Sequence, residues 1–128
     1  VLCIADDEQD ALVQVAAVTS VGSLILWPDD TFHRDLAKRL PAAVSGRIQF
    51  AKADNIATQP FDAVIFHGDS DQLRALCEAV AAREGAIVSV QGFARGESNI
   101  LLERLYIERS LSVNTAAAGG NASLMTIG

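Results

Sequence analysis

Apolar residues along this chain follow two alternating patterns. Short uninterrupted apolar runs predict buried strands, and segments with apolar residues at helical spacing predict helices between them. The predicted strands span residues 1–5, 24–27, 48–51, 61–66 and 86–90. The predicted helices have apolar positions within 11–18, 36–40 and 73–81, and they end at Gly22, Pro41 and Gly85. This alternation predicts an α/β, Rossmann-like or flavodoxin-like domain with a mostly parallel sheet of about five strands and helices on both faces.

One predicted connection is too short for this scheme. Residues 52–60 join the third and fourth strands, whereas a parallel crossover that contains a helix needs about 10–12 residues or more. The crossover helix is therefore expected to be missing or reduced to a single turn.

The pattern changes after Gly96, which divides the chain into a Rossmann-like unit, residues 1–96, and a C-terminal ribbon and tail, residues 97–128. Glu97, Ser98 and Asn99 are suited to cap a short helix over 100–105. Alternatively, residues 101–109 form one strand of a projecting ribbon. Residues 111–115 predict a further strand. The final segment, TAAAGGNASLMTIG, has no charge and little bulk, so we expect it to lie against a partner surface.

Composition and charge narrow the possible partners. The net charge of −6 gives no electrostatic attraction to nucleic acid or to an anionic membrane. No apolar run approaches the roughly 18 residues of a membrane span. Cys3 and Cys77 lie in apolar segments and are predicted to be buried free thiols in a reducing compartment. The first residues carry no basic segment typical of a secretory signal, and Val1 is expected to lie inside a longer polypeptide.

The opening VLCIADDEQD resembles the start of a response-regulator receiver domain, where an acid pair holds Mg²⁺. A receiver also needs a phosphoacceptor aspartate and a lysine after the fifth strand, because phosphoryl transfer depends on charge neutralisation. Here His67 occupies the phosphoacceptor position, and the last lysine is Lys52. We therefore interpret Asp6, Asp7 and Glu8 as the N-cap and first turn of a helix.

Three other side chains are candidates for catalytic or ligand groups. Cys77 with His67 as its base is one candidate pair, but the position of Cys77 in an apolar helix predicts core packing. His33 is predicted to be a solvated helix residue. His67 follows a strand at the edge where such folds bind ligands, and it is either a neutral turn histidine or a ligand. No histidine and cysteine spacing indicates a zinc site.

Two glycines are candidates for a phosphate site. Gly68 precedes a helix and could cradle a phosphate, but Asp69 and Asp71 would repel one. The chain has no G-x-G-x-x-G or Walker A lysine. In the QGFARG segment, Gly92 and Gly96 are predicted to make a flexible turn, which offers the single cation Arg95.

The segment FDAVIFHGDSDQLRALCEAVAAREGAIVSVQG resembles the nucleotide-binding part of the aldehyde dehydrogenase superfamily. Phe66, Gly68 and Ser70 match its D-x-V-x-F-T-G-S-T turn, while His67 replaces the threonine and Asp69 departs from the pattern. The family's catalytic glutamate falls on Ser89 or Val90, and no cysteine follows Cys77 to serve as its nucleophile. The resemblance implies a degenerate domain without catalytic residues, in which a vestigial crevice is lined by His67, Gly68, Ser70 and Gly92.

The segment ERSLSVNTAAAGGNASLMTIG is similar to the C-terminus of the long proline utilization A flavoenzymes of bacteria. The resemblance implies a parent that joins an FAD-dependent proline dehydrogenase to an NAD-dependent glutamate semialdehyde dehydrogenase. In that family the C-terminal domain packs on the glutamate semialdehyde dehydrogenase domain of the same polypeptide and helps to enclose its substrate-channelling tunnel. The implied contact residues are Asn114, Thr115, Ala116, Ala117, Ala118, Gly119, Gly120, Asn121, Leu124 and Met125.

The same resemblance implies further properties. This chain itself would hold no cofactor or metal and would not contact nucleic acid, although some parents repress transcription through a separate N-terminal domain. Its location would be cytoplasmic, with peripheral association of the parent at the inner membrane as an alternative. The isolated chain could pair with another copy through its tail. The alternative function is a nucleotide- or effector-binding module that keeps a vestigial NAD crevice.

Overall fold

The computed structural model describes residues 1–85 and 87–105. Within them, five parallel strands form one sheet in the order β3-β2-β1-β4-β5. The strands are β1 (Leu2–Ile4), β2 (Ile25–Pro28), β3 (Ile48–Ala51), β4 (Ala63–His67) and β5 (Ser89–Phe93). The helices are α1 (Glu8–Ser20), α2 (Thr31–Arg39), α3 (Ala42–Ser45) and α4 (Ser70–Ala81), with a 3-10 helix at Ala53–Thr58. The predicted α/β, Rossmann-like class is confirmed.

The short connection between β3 and β4 contains no α-helix, and instead of a single turn it forms a six-residue 3-10 helix, about two turns at three residues per turn. Its 3-10 helix replaces a full crossover helix. Helix α3 was not predicted, because Pro41 was interpreted only as a helix stop. Pro41 occupies the N-cap of α3, and proline is well tolerated at the beginning of a helix because no intrahelical hydrogen bond is lost there.

Strand β5 lies three residues later than predicted, at 89–93 instead of 86–90. Its register with β4 pairs Phe66 with Gly92 and His67 with Phe93. Gly92 had been assigned to a turn from its residue type. In the structure it is a strand residue against which the helix α4 packs closely, and this is a known use of glycine in strands.

Residues 102–105 form a helical turn. This agrees with the helical alternative for this segment and excludes the ribbon strand over these four residues. Leu105 is buried in the core, and the Gln91 side chain exchanges hydrogen bonds with the Leu101 backbone at 3.1 and 3.3 Å. The rest of the predicted ribbon, the strand at 111–115 and the tail lie outside the described residues.

The two faces of the sheet are covered unequally. Among the described residues, one face packs against α1 and α2 over a core of thirteen buried residues, including Trp27 and Ile65. The opposite face packs against α4 and the 3-10 helix, and its core has five buried residues, including Leu2 and Val64. Among the described helices, none is long and apolar enough to cross a membrane.

Candidate functional site

The carboxyl ends of β1, β2 and β4 surround a cavity of about 380 Å³. The chain leaves β1 toward β2 on one side of the sheet and later returns to place β4 on the other side. Such a reversal of strand order creates a crevice at the carboxyl ends of the strands, where open α/β sheets bind ligands. Asp6, Asp30, His33, His67 and Gln72 are the polar residues of the cavity wall.

His67 ends β4 and is 2% exposed. Its Nδ1 lies 2.8 Å from Gln14 Nε2, and its Nε2 lies 2.8 Å from the Glu97 carbonyl oxygen. The Gln14 amide nitrogen also donates to the Ile4 carbonyl at 2.9 Å, which fixes the orientation of the amide. Nδ1 of His67 must therefore accept and Nε2 must donate, so the network assigns a neutral ring. With both nitrogens occupied, His67 has no atom free to act as a base or ligand.

The loop after β5 is connected to the start of α1 by hydrogen bonds and an ion pair. The Asp10 carboxylate, on a residue only 2% exposed, accepts a hydrogen bond from the Gly96 backbone N–H at 3.0 Å. Arg95 donates to both oxygens of Asp6 at 3.1 and 2.8 Å. Hydrogen bonding to Arg95 lowers the pKa of the Asp6 carboxyl below its ordinary value. Gly96 has a φ of 87°, a left-handed conformation that favours glycine.

The acid run after β1 has the capping role predicted for it. The Asp7 side chain is the N-cap of α1 and accepts from the backbone N–H groups of Gln9 and Asp10 at 2.9 and 3.3 Å. Glu8 lies in the first turn and forms a two-pronged ion pair with Arg39, with both distances 2.9 Å. Asp6 differs from the prediction, because it pairs with Arg95 instead of capping the helix.

The four predicted crevice residues meet at the junction of β4, α4 and β5. Asp69 and Gln72 form a capping box at the start of α4. A Cβ atom on Gly68 would lie 2.7 Å from Gln72 Oε1, and one on Gly92 would lie 2.8 Å from Leu73 Cδ1. Both glycines therefore permit close packing of α4. Ser70 is the first residue of that helix. The Asp69 carboxylate occupies the helix N-terminus where a phosphate would bind.

His33 is 4% exposed, so the prediction of a solvated residue is wrong. Asp30 is the N-cap of α2, and its carboxylate accepts from the backbone N–H and from Nδ1 of His33, each at 2.8 Å. The ring packs near Trp27 and Phe32, with centroid separations of 5.1 and 4.9 Å. The spacing of Asp30 and His33, an N-cap and its third helical position, was the sequence signal that could have revealed this contact.

The two cysteines differ in solvent exposure. Cys3 is buried, and desolvation raises the pKa of its thiol to about 12. Cys77 is exposed, so its predicted burial is wrong. Helix α4 contacts the sheet through Leu73, Leu76 and Val80, and Cys77 is turned about 100° from Leu76. The pair of Cys77 with His67 as base is excluded by the occupied nitrogens of His67.

The remaining candidate positions show no metal-binding or catalytic arrangement among the described residues. No group of three or more histidine, cysteine, aspartate or glutamate side chains in residues 1–85 and 87–105 could hold a metal ion. Ser89 begins β5, and its hydroxyl accepts a hydrogen bond from Arg104 at 2.7 Å. The predicted contact residues between Asn114 and Met125 all lie outside the described residues.

No family model matches the chain. Over all 128 residues it is 85% identical to the bifunctional protein PutA of Escherichia coli and 84% identical to that of Salmonella typhimurium. It is 35% identical over 133 aligned positions to the bifunctional protein PutA of Rhizobium meliloti. The chain spans about 10% of the length of the first two proteins and 11% of the third. It is therefore homologous to one segment of these larger bifunctional proteins.

Proposed function

We propose that this chain is a non-catalytic segment of a PutA-type flavoenzyme that oxidises proline to glutamate in the cytoplasm. Its role is to pack on the glutamate semialdehyde dehydrogenase domain of the same polypeptide and to help enclose the active site and the tunnel between the two catalytic centres. FAD and NAD belong to the other domains. Identity of 84% along the whole chain, over only a tenth of the relative, supports a segment whose partner domains lie elsewhere in the polypeptide.

One incompletely covered surface carries this proposal. We call it the uncovered face, and among the described residues it consists of the apolar side chains around one open groove, Val80, Ile87, Val88 and Val90. Helix α4 has no fully buried residue, and Ile87 is 96% exposed. A cavity of about 490 Å³ lies between α4 and β5, lined by Val80, Val88 and Val90 among others. Parallel sheets are normally covered on both faces, and contiguous exposed apolar surface is typical of an interface.

The chemistry at the strand ends supports a role without catalysis. Both nitrogens of His67 are hydrogen-bonded within the fold. Ser89 and Val90, the positions that match the family's catalytic glutamate, carry no acid. Cys77 has no activating base or cation partnered with it among the described contacts, and such a thiol is a poor nucleophile.

The alternative, a nucleotide-binding module, is disfavoured by charge. The cavity at the strand ends is lined by the carboxylates of Asp6 and Asp30 and by no lysine or arginine among the described residues. A dinucleotide pyrophosphate would approach the Asp30 carboxylate and the Asp69 cap, and Arg95, which could offer a cation, is already paired with Asp6. We expect calorimetric titration of NAD⁺ into the 128-residue chain to give no saturable heat. Saturable binding would favour the module.

Deletion of residues 115–128 in the full-length protein tests the proposed packing role. We expect NAD-linked oxidation of the aldehyde to fall, while proline-dependent flavin reduction in the same preparation stays near its original rate. The flavin reaction is the internal control, because it reports on a domain that the tail is not proposed to touch. Unchanged aldehyde oxidation and unchanged coupling of the two reactions would contradict the proposal.

A further inference from the structure

Strand β5 lies at one edge of the sheet, and part of its main chain faces away from β4. In a parallel ladder the N–H and C=O groups of one residue point to the same side, and successive residues alternate between the two sides. The Phe93 carbonyl accepts a hydrogen bond from the Gly68 N–H at 3.0 Å, so Phe93 faces β4. The alternation therefore directs the main-chain groups of three residues to the open edge, namely Val88, Val90 and Gly92.

This edge has neither a partner nor the usual protection within residues 1–85 and 87–105. No hydrogen bond from these residues reaches the outward main-chain groups of β5, and Gly92 is exposed. An unpaired edge is a template for another strand, so proteins normally protect it with charges, proline or a covering segment. The opposite edge strand, β3, is bracketed by Arg47 and Lys52, whereas residues 86–94 contain no charge and no proline. This difference favours an edge that is covered in the assembled protein.

The two faces beside the edge specify the side chains of a covering strand. On one face, Val88 and Val90 pack toward α4 and line the cavity of about 490 Å³. On the other face, the Arg104 guanidinium donates a hydrogen bond to the Ser89 hydroxyl at 2.7 Å. Side chains of a strand alternate between the two faces of a sheet. An added strand would therefore bury apolar side chains on the α4 side and place polar side chains near Arg104.

We infer that β5 is a docking strand, to which an extended segment from another domain of the same polypeptide adds through main-chain hydrogen bonds to Val88, Val90 and Gly92. Strand addition takes its affinity from main-chain hydrogen bonds and its specificity from alternate side chains. The inference rests on the proposed packing role and extends it from side-chain contact at the uncovered face to pairing of main chains.

Two observations favour a segment of the same polypeptide over a second copy of this chain. The chain spans about 10% of the length of the E. coli and S. typhimurium proteins, so most of such a polypeptide could supply the segment. Two copies would each bring a net charge of −6 to a contact between them, and like charges oppose association.

Amide hydrogen exchange of residues 86–94, resolved to single residues by mass spectrometry, tests the docking strand. We expect the three outward amides to exchange at least about a hundredfold more slowly in the full-length protein than in the 128-residue chain, because a hydrogen-bonded amide exchanges only when the structure opens. The inward amides of Ser89, Gln91 and Phe93 are the internal control and should be slow in both samples. Fast outward amides in the full-length protein would overturn the inference.

The remaining outcomes identify a different occupant or separate this inference from the packing role. Equal protection in the 128-residue chain would identify a segment of this chain, and protection that increases with concentration would identify a second copy; either result would overturn the inference. Protected outward amides with unchanged aldehyde oxidation after deletion of residues 115–128 would support the docking strand and reject the enclosing role. Fast outward amides with reduced oxidation would reject strand addition alone.

Val90→Pro removes one outward N–H and leaves the donors of the ladder with β4 in place, because Ser89 and Gln91 supply those; proline is tolerated on edge strands in this way. In the full-length protein we expect the amides of Val88 and Gly92 to exchange at least about tenfold faster, while the inward amides stay slow. Val90→Thr keeps the N–H and the branched shape, and it is the matched control. Undiminished protection of Val88 and Gly92 in the proline variant would contradict strand addition. If fast inward amides show that this variant does not fold, the exchange pattern of the original protein decides.

Discussion

At the residue scale, burial decides the chemistry open to each cysteine. Only the thiolate reacts with thiol reagents, and its abundance depends on both pKa and access. Cys3 is fully buried with a pKa raised to about 12, whereas Cys77 is exposed on α4. The two side chains have the same functional group and opposite environments.

We therefore predict two well-separated phases when the folded chain reacts with a chromogenic disulfide such as Ellman's reagent. Cys77 should react first, and Cys3 should react only as the chain unfolds. Cys77→Ser should remove the fast phase, and the conservative Cys3→Ser should leave it in place. Equal reaction rates for both thiols in the native chain would contradict the burial described for Cys3.

Adjacent aspartates at the start of α1 also have different roles. Asp7 caps the helix through two backbone N–H groups, while Asp6 forms a largely exposed pair with Arg95. Asp7→Ala should lower the free energy of unfolding by about 1 kcal/mol, and Asp6→Ala should lower it by less, because exposed ion pairs contribute little. Urea unfolding followed by Trp27 fluorescence measures both. A larger decrease in the free energy of unfolding for Asp6→Ala than for Asp7→Ala would contradict the roles assigned to these two aspartates.

At the element scale, the attachment of α4 to the sheet depends on the missing side chain at Gly92. The Leu73 side chain occupies the space that a Cβ on Gly92 would need. The same contact explains why β5 continues past the predicted end of the strand, since residues 91–93 remain hydrogen-bonded to β4 with the helix seated over Gly92.

Gly92→Ala should therefore destabilise the chain by about 1–3 kcal/mol, the usual cost of overpacking. The cost should shrink when Leu73→Ala provides the space, because the two positions share one contact. Comparing both single variants with the double variant by urea unfolding gives the coupling energy, which we expect to be about 0.5–3 kcal/mol. Additive effects would show that Leu73 does not limit the substitution.

Element order and sheet type were predictable because apolar runs alternate with amphipathic segments along the whole chain. Local caps such as Asp7 were also predictable, because the backbone groups that they bind are only two or three residues away. The burial of Asp10 and Gln14 was not predictable, because their partners Gly96 and His67 lie 86 and 53 residues later. Cys77 was misassigned because helical spacing grouped it with Leu76 and Val80, whereas it is turned about 100° from Leu76 and away from the sheet.

At the scale of the whole molecule, ion pairs between arginines and carboxylates make the stability depend on acid pH. Hydrogen bonds from Arg95, Arg39 and Arg34 lower the pKa values of Asp6, Glu8 and Asp29, respectively. The pKa of each of these carboxyls is lower in the folded state than in the unfolded state. Each ionised carboxylate therefore stabilises the fold above its unfolded-state pKa, and this stabilisation is lost as the pH falls through its folded-state pKa.

We expect the urea midpoint to fall as pH is lowered from about 5 toward 3, across the range of unfolded carboxylates, and the pair contribution to shrink in high salt. The change should be modest, since all three pairs are exposed to solvent. Arg95→Gln should reduce the acid dependence, and Lys38→Gln should change it less, because the contact of Lys38 with Asp35 is exposed and long, at 3.4 Å. A midpoint that rises on acidification would contradict the sign of these shifts.

The unequal covering of the two sheet faces is the feature that most directly suggests an assembly. Among residues 1–85 and 87–105, a core of thirteen buried residues on one face and five on the other leaves α4 with a partly exposed apolar side. This is the arrangement expected of a domain that completes its core against a neighbour. Ile87 is the most exposed apolar residue of this side.

The most direct test of the proposed packing compares Ile87→Asp with Leu24→Asp, a control at an exposed leucine outside the uncovered face that is 52% exposed. Each is placed in the full-length protein and in the 128-residue chain, and NAD-linked aldehyde oxidation and the melting temperature are measured. We predict that Ile87→Asp leaves the melting temperature of the chain nearly unchanged but lowers aldehyde oxidation in the full-length protein, because a charge would be buried at the interface. Leu24→Asp should leave that activity unchanged. Equal activities for the two full-length variants would contradict docking through the uncovered face.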